Sequence, residues 1–197
     1  MLVGFDSNNV FRNSGELGEW ARNLVERIAS QRGSDFRALL FATRMKEEYR
    51  SIYTSFANVS TFVPSGASSL MPSTWMRFSI GPYLTGERVQ IFHGLNEELP
   101  YHLTGKVKTV ITCFGKDVHY TTSLFDKLFW KKRLRYAIRT ADALVAVSEE
   151  VKNMLLAKGV KPEKIVVIGN KENPYEVTDE VARQYLALYN RLLETED

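Results

Sequence analysis

Cysteine is almost absent from this sequence. Cys113 stands alone among 197 residues, so no internal disulfide can form and thiolate metal clusters are excluded. Long apolar runs are missing too: none approaches the ~18 residues needed to cross a bilayer. The opening stretch, MLVGFDSNNVF, has neither a basic n-region nor a long apolar h-region, so it does not read as a signal peptide. A cytoplasmic protein is therefore the expectation. A strong excess of one charge is also lacking, with a formal net charge of +3. That permits contact with a phosphate or an anionic surface but does not point to nucleic acid. There is no internal repeat and no low-complexity tract.

What is present is ordinary for a globular chain: 44% hydrophobic and 25% charged residues, enough for one good core. Seven short apolar runs punctuate it: MLVGFD (1–6), FRALLFAT (36–43), VSTFVP (59–64), VQIFHG (89–94), VKTVITCF (107–114), ALVAVS (143–148) and KIVVIG (164–169). Several are continuous in Val, Ile, Leu and Phe rather than alternating, as in strands covered on both faces. Helical periodicity fills the gaps. Leu17, Trp20, Ala21, Leu24, Val25 and Ile28 share one face, and Gly33 follows as a stop signal. Ser148 reads as an N-cap for EEVKNMLLAKG, with Glu149 and Glu150 at the positive end and Gly159 at the other. Strand–helix alternation of this kind predicts an α/β fold with one doubly wound, mainly parallel sheet and helices on both faces. About seven strands are expected, the first of them central. PSGASSLMPS (64–73) reads as an exposed loop.

In such a sheet, ligands bind outside the carboxyl ends of the strands. His93, Gly94, Asn96, Cys113, Gly115, Asp117 and His119 all leave strand ends there. Loops are also polar simply because their backbone meets water, so each of these residues carries a bland reading beside the functional one.

Five segments, in order, resemble the N-terminal domain of GT-B fold family 4 glycosyltransferases, in particular the mannosyltransferase-like branch. They are VGFDSNNVFRNSGELGEWARNLVERIA, QIFHGLNEELP, KVKTVITCFGKDVHY, KLFWKKRLRYAIRTADALVAVSEEVKNMLLAKGV and PEKIVVIGN, running from residue 3 to about 170. The aromatic–basic helix leading into TADALVAVSE is the most specific piece, and FHGLNEELP is next. The resemblance implies two Rossmann-like domains facing each other across a cleft. The N-terminal domain binds the acceptor. The C-terminal one holds a nucleotide-sugar donor and supplies a paired-glutamate motif, and the last helix crosses back onto the N-terminal domain.

The residues bear on that picture one by one. Gly15 and Gly18 sit where the first long helix begins, and free N–H groups there attract anions such as a donor diphosphate. They equally permit a tight turn, and Glu16 works against an anion. His93 and Asn96, at the end of the fourth strand, are candidates to hydrogen-bond an acceptor sugar. The alternative for His93 is a satisfied, buried imidazole. Where many relatives carry Thr-x-His-Asp after the fifth strand, this chain reads Thr112-Cys113-Phe114-Gly115. Asp117 and His119 follow as shifted candidates for a catalytic role. Cys113 reads as a small buried apolar residue. The adjacent pairs Glu97–Glu98 and Glu149–Glu150 read as helix starts. KLFWKKRLRYAIR (127–139) is an amphipathic basic helix. Membrane docking is conceivable, but a helix covering the sheet through Leu128, Leu134 and Ile138 is favoured.

After Asn170 the resemblance to a second Rossmann domain stops. Residues 171–197 read as a linker and a helix, with Val181, Tyr185, Leu188, Tyr189 and Leu192 on one face, packing back on a Rossmann-like unit of residues 1–170. A donor domain needs on the order of 100 residues or more, so the expectation is an acceptor-side half, isolated or engineered, without turnover of its own. The alternative is an active glycosyltransferase subunit that recruits a donor-binding partner in trans. Expected partners are a sugar or glycan acceptor and no nucleic acid. The expected state is a monomer or weak dimer. No cofactor and no metal are expected, only a nucleotide-sugar donor for the parent enzyme.

Overall fold

The computed structural model describes residues 1–31, 35–103, 105, 107–115 and 124–194, with only the backbone described over 124–130. Each of the seven apolar runs contains a strand. They are β1 (Leu2–Asp6), β2 (Arg37–Phe41), β3 (Val59–Phe62), β4 (Ile91–Gly94), β5 (Lys108–Cys113), β6 (Ala143–Ala146) and β7 (Ile165–Val167). All pair in parallel, in the order β3-β2-β1-β4-β5-β6-β7. Both faces of a parallel sheet must be covered, and β1, β4 and β6 are buried along their whole length.

The chain winds outward from β1 to β3, returns to β4 beside β1, and winds outward the other way to β7. Right-handed crossovers in opposite directions place the two sets of helices on opposite faces. The first set is α1 (Asn8–Arg12), α2 (Glu16–Ser30) and α3 (Glu47–Tyr53). Residues 66–86 follow as a string of short helical turns, including α4 (Pro72–Thr74) and α5 (Gly81–Gly86). The stretch expected as a loop at 64–73 thus carries a helical turn at Gly66–Leu70, and it leaves Leu70 and Met71 exposed. The second set is α6 (Leu124–Thr140) and α7 (Glu149–Ala157), and α8 (Asp179–Glu194) comes last.

Local signals explain most of these boundaries. The six apolar positions of α2 are buried together. Its expected stop, Gly33, lies outside the described residues. The Ser148 hydroxyl caps α7 by accepting from the Val151 N–H at 3.3 Å. Gly159 ends that helix at φ +80°, a conformation that suits glycine. Among the described side chains of α6, Ala137 is the one fully buried, whereas Leu134 and Ile138 stay half-open. The side chain of Leu128 is not among those described.

The last helix completes the core. Val181, Tyr185, Leu188 and Tyr189 of α8 are buried, and Leu192 is half-buried. Each fully buried large side chain stabilises by roughly 1.5–3 kcal/mol. The Arg27–Asp179 ion pair between α2 and α8 is 2.6 Å long. Both partners are well exposed, so it adds little beside that burial.

Candidate functional site

The topology puts the switch point between β1 and β4, the two neighbours whose crossovers run in opposite directions. The residues leaving their carboxyl ends are Asp6-Ser7-Asn8 and Leu95-Asn96-Glu97-Glu98. No helix starts at Glu97–Glu98; residues 95–96 and 101–102 form turns, with a bend at Glu97 and irregular chain between. The reason is local: Glu97 takes φ +62° and His102 +59°, left-handed values that a helix cannot continue. Strain of this kind costs on the order of 1–3 kcal/mol. It is held in place at Glu97 because the buried carboxylate accepts the Phe114 N–H at 2.7 Å. That bond ties the β4 turn to the end of β5.

A cavity of about 230 Å³ opens at the ends of β1, β2 and β4. Asp6, Asn8, Arg12, Arg77, Asn96 and Glu98 give it its polar character. Asn8 is the organiser. Its amide donates to the Asp6 carboxylate at 2.8 Å, and its oxygen accepts the Thr43 hydroxyl at 2.7 Å and the Thr43 N–H at 3.0 Å. Arg12 donates to the Thr43 hydroxyl at 3.2 Å. Glu98 is paired with Arg133 of α6 at 2.8 Å, both largely covered. Burial pushes Asp6 up to about 6, with the Glu98 charge adding to the rise, against hydrogen bonds from Asn8 and Asn96 that lower it. The Asn96 side-chain oxygen is buried without a partner.

Of the four substrate-binding candidates read from sequence, Asn96 alone lines this cavity. His93 lies beneath it in the core, fully buried. Its Nδ1 is 2.7 Å from the Tyr189 hydroxyl and its Nε2 is 2.9 Å from the Thr112 hydroxyl, which in turn meets Tyr185 at 2.9 Å. Either tautomer completes this chain, and burial pushes the imidazole down to about 3, so it stays neutral. Both ring nitrogens are occupied within the fold, leaving none for a sugar hydroxyl. The bland reading of His93 is the one its surroundings support.

Gly15 and Gly18 stand at the start of α2, outside the cavity lining. Gly15 donates its N–H to the Asn13 side chain at 2.8 Å. A Cβ on Gly18 would overlap the Asn13 carbonyl oxygen, so glycine there allows α2 to close on the preceding turn. Glu16 and Glu19 occupy the first helical turn, where an anion would sit. Asp117 and His119 lie outside the described residues. Phe114, at the position where the resemblance would put a histidine, is core: its ring meets Trp20 edge-on at 4.8 Å and stacks on Tyr175 at 5.8 Å. Cys113 is buried, and burial raises its thiol well above the usual range, so it is inert. Among the described residues no group of His, Cys, Asp and Glu could hold a metal ion, and no helix is long and apolar enough to cross a membrane.

Sequence reasoning passed over Asp6, Asn8, Thr43, Arg12, Arg77 and Glu98. The signal available was the polar run DSNN directly after a wholly apolar strand. The distant partner of Asn8, Thr43, lies 35 residues on, which no local pattern displays.

Comparison with known proteins places this architecture. No curated protein matches the sequence. Among solved structures, Alr3699/HepE of Anabaena in complex with UDP-glucose superposes with a TM-score of 0.51 at 13% identity, over 86% of this chain and 43% of its own. A putative UDP-N-acetylglucosamine 2-epimerase of Listeria monocytogenes gives 0.55 at 16% identity, over 86% and 44%. The UDP-GlcNAc 2-epimerase of Neisseria meningitidis bound to UDP-GlcNAc gives 0.56 at 11% identity, over 99% and 50%. At such identities the likeness is one of fold, and the chain spans half or less of the length of these proteins. The profile of one family, Glycosyltransferase Family 4, matches residues 18–170. With most of its length so matched, and a fold shared with these structures, the chain belongs to glycosyltransferase family 4.

Proposed function

We propose that this chain is the acceptor-side half of a GT-B sugar-transfer enzyme of the mannosyltransferase-like branch, and that the cavity at the ends of β1, β2 and β4 receives a hydroxyl-rich acceptor. The observation that carries this is the buried, unpartnered oxygen of Asn96 beside that cavity. A buried acceptor left unsatisfied costs roughly 1–3 kcal/mol, and a sugar hydroxyl supplies the missing donor. The neighbouring groups suit a polyol. The Asp6 and Glu98 carboxylates accept from hydroxyls, while Arg12 and Arg77 donate to them. At about 230 Å³ the cavity falls below the ~300–1,000 Å³ of drug-sized sites. It suits one sugar ring and is too small for a nucleotide diphosphate, so the donor belongs elsewhere.

In this reading the chain alone does not turn over. Transfer needs donor and acceptor held in attack geometry, and the departing diphosphate needs a cationic or N–H clamp. The start of α2, with its acidic first turn, is a poor clamp. Asp6 and Glu98 orient the acceptor, and Arg133 holds Glu98 in place. A donor site facing the cavity comes from a further domain or, in the second reading, from a partner recruited in trans.

The test is titration of the labelled chain, followed by NMR, with methyl α-mannoside, other methyl hexosides, UDP and UDP-sugars. Mannoside shifts centred on Asn96, Glu98 and Asn8, lost in Asn96→Ala and weakened in Glu98→Gln, support the reading. Shifts confined to the start of α2 on adding UDP, with none from any hexoside, would sink it. A transfer assay with the same compounds separates the silent half from the active subunit: product above the no-enzyme control overturns the first and favours the second.

A further inference from the structure

Beside the sugar cavity stands a ladder of three aromatic rings. Phe78 stacks on Tyr101 with ring centres 5.1 Å apart and planes 17° from parallel. Tyr101 in turn meets Tyr136 of α6 at 4.5 Å. The Tyr136 hydroxyl accepts the His102 N–H at 3.2 Å, which ties the inner end of the ladder to the chain leaving the cavity. The outer end is open: Phe78 is 57% exposed although Tyr101 covers one face of its ring. A single exposed phenylalanine is ordinary. What sets this one apart is its support and its place. Arg77 and Pro100 line the cavity, and Phe78 and Tyr101 are the residues that follow them. The Tyr101 N–H donates to the Arg77 carbonyl at 2.7 Å, clamping the two stretches together. Consecutive Cα atoms are ~3.8 Å apart, so the stacked pair stands one residue's step from the lining. Trp75–Ser79 is wound as a π-helix, a wide turn that recurs at functional sites. It leaves Trp75 and Met76 buried, Arg77 on the cavity and Phe78 in the open.

We propose that Phe78 is a stacking platform for the second sugar ring of a glycan acceptor whose first ring fills the cavity. This rests on the reading of the cavity given above and adds that the acceptor is at least a disaccharide. A cavity of about 230 Å³ holds one ring, so the rest of a longer acceptor leaves over the rim. A hexopyranose carries hydroxyls around its edge and a patch of C–H bonds on its face. Those hydrogens sit on oxygen-bearing carbons and are partly positive. The face of an aromatic ring carries the negative part of its quadrupole, so the two surfaces attract one another as they exclude water. Tyr101 holds the Phe78 ring from behind, so little side-chain freedom is left to lose on binding. Arg77, next to Phe78 in the chain and part of the lining, supplies guanidinium donors for hydroxyls at the junction. A lipid chain is gripped by an apolar groove, whereas here one flat ring follows an arginine and precedes a serine.

NMR titration of the labelled chain with methyl α-mannoside and with a methyl mannobioside tests it, read as the ratio of the two affinities. Stacking should favour the disaccharide by roughly 2- to 10-fold. The C–H protons of its second ring should move upfield in the ring current of Phe78. Phe78→Ala should bring the ratio close to one and abolish that upfield shift, and Phe78→Trp should restore both. Glu98→Gln should weaken both sugars alike and keep the ratio. Equal affinities in the parent chain, with both sugars bound at Asn96, overturn the platform and leave the cavity reading standing. Failure of both sugars to bind sinks the cavity reading and the platform with it. A disaccharide advantage that survives Phe78→Ala places the second ring elsewhere and overturns the proposal. So does an advantage confined to octyl α-mannoside, which assigns the ring to a lipid chain. A shift of the Phe78 ring with UDP and none with the disaccharide assigns it to a base, and overturns the proposal too.

Discussion

The hydroxyl of Tyr189, on the last helix, lies 2.7 Å from Nδ1 of His93, at the end of the fourth strand. The two residues are 96 positions apart, and both are wholly buried. Removing the hydroxyl strands a ring nitrogen in the core. Tyr189→Phe is expected to cost ~1–3 kcal/mol, read as a lower urea midpoint with an unchanged slope. Thr112→Val should act similarly, and the double variant should cost less than the sum, because one network is being broken twice. Strict additivity would count against a connected network.

The pH dependence of stability follows from two buried groups that act in opposite senses. Asp6 is raised from 3.8 to about 6. Between those values the folded chain keeps a proton that the unfolded chain has lost, so this contribution falls as pH rises. His93 is lowered from 6.5 to about 3. Between those values the unfolded chain holds the extra proton, so this contribution grows as pH rises. The windows overlap from 3.8 to 6, where the two partly cancel. Asp6→Asn removes only the first. Relative to the parent it should gain up to about 3 kcal/mol above pH 6, at 1.36 kcal/mol per unit, and should show no such gain below pH 3.8. Urea melts across that range measure the difference. A difference that does not vary with pH would show that Asp6 is not held protonated by burial.

Gly15 and Gly18 should respond unlike each other to the same change. Gly18→Ala places a methyl against the backbone oxygen of Asn13, and overpacking against a backbone typically costs about 1–3 kcal/mol. Gly15 has an ordinary extended backbone, φ −86° and ψ −176°, and a methyl added there would meet only the Asn13 side-chain oxygen, at 3.2 Å. Gly15→Ala at this helix cap should cost well under that. Thermal melts of the two variants decide it, and equal losses would mean that the close approach at Gly18 carries no weight.

Glu97 holds its turn through its bond to the end of β5. Glu97→Ala should lose the link to the Phe114 N–H and cost ~1–3 kcal/mol. Glu97→Gln keeps an oxygen acceptor and should recover part of it. Amide exchange at Phe114 is the direct measure. Protection there that survives Glu97→Ala would rule out the carboxylate as its partner.

The sheet was legible in the sequence because a parallel strand buried on both faces writes itself as a largely apolar run, and VGF, LLF and LVAV do so. Helices α2 and α7 were legible because periodicity, cap and stop agree. The irregular stretch at 95–102 was not: Glu97–Glu98 looks like the acidic start of a helix, and the reach of Glu97 to Phe114 sustains its left-handed backbone. Asn96 was legible as a polar residue at a strand end, but so was His93, and the sequence does not display the two tyrosines that enclose one and leave the other open. The cavity itself escaped notice because Asp6, Thr43, Arg77 and Glu98 come from four separate strand-ends and loops that meet only in the assembled sheet.

The position of α8 in the chain has a consequence for synthesis. The seven described strands precede it, so the ribosome delivers β4 and β5 well before Tyr185 and Tyr189. Until those tyrosines arrive, His93 and Thr112 have each other but lack their second partners, with an uncovered apolar floor around them. Domains form as units as the chain emerges, and here the sheet is left waiting. A nascent chain stalled before α8 presents that open seam, the kind of surface on which chaperones act.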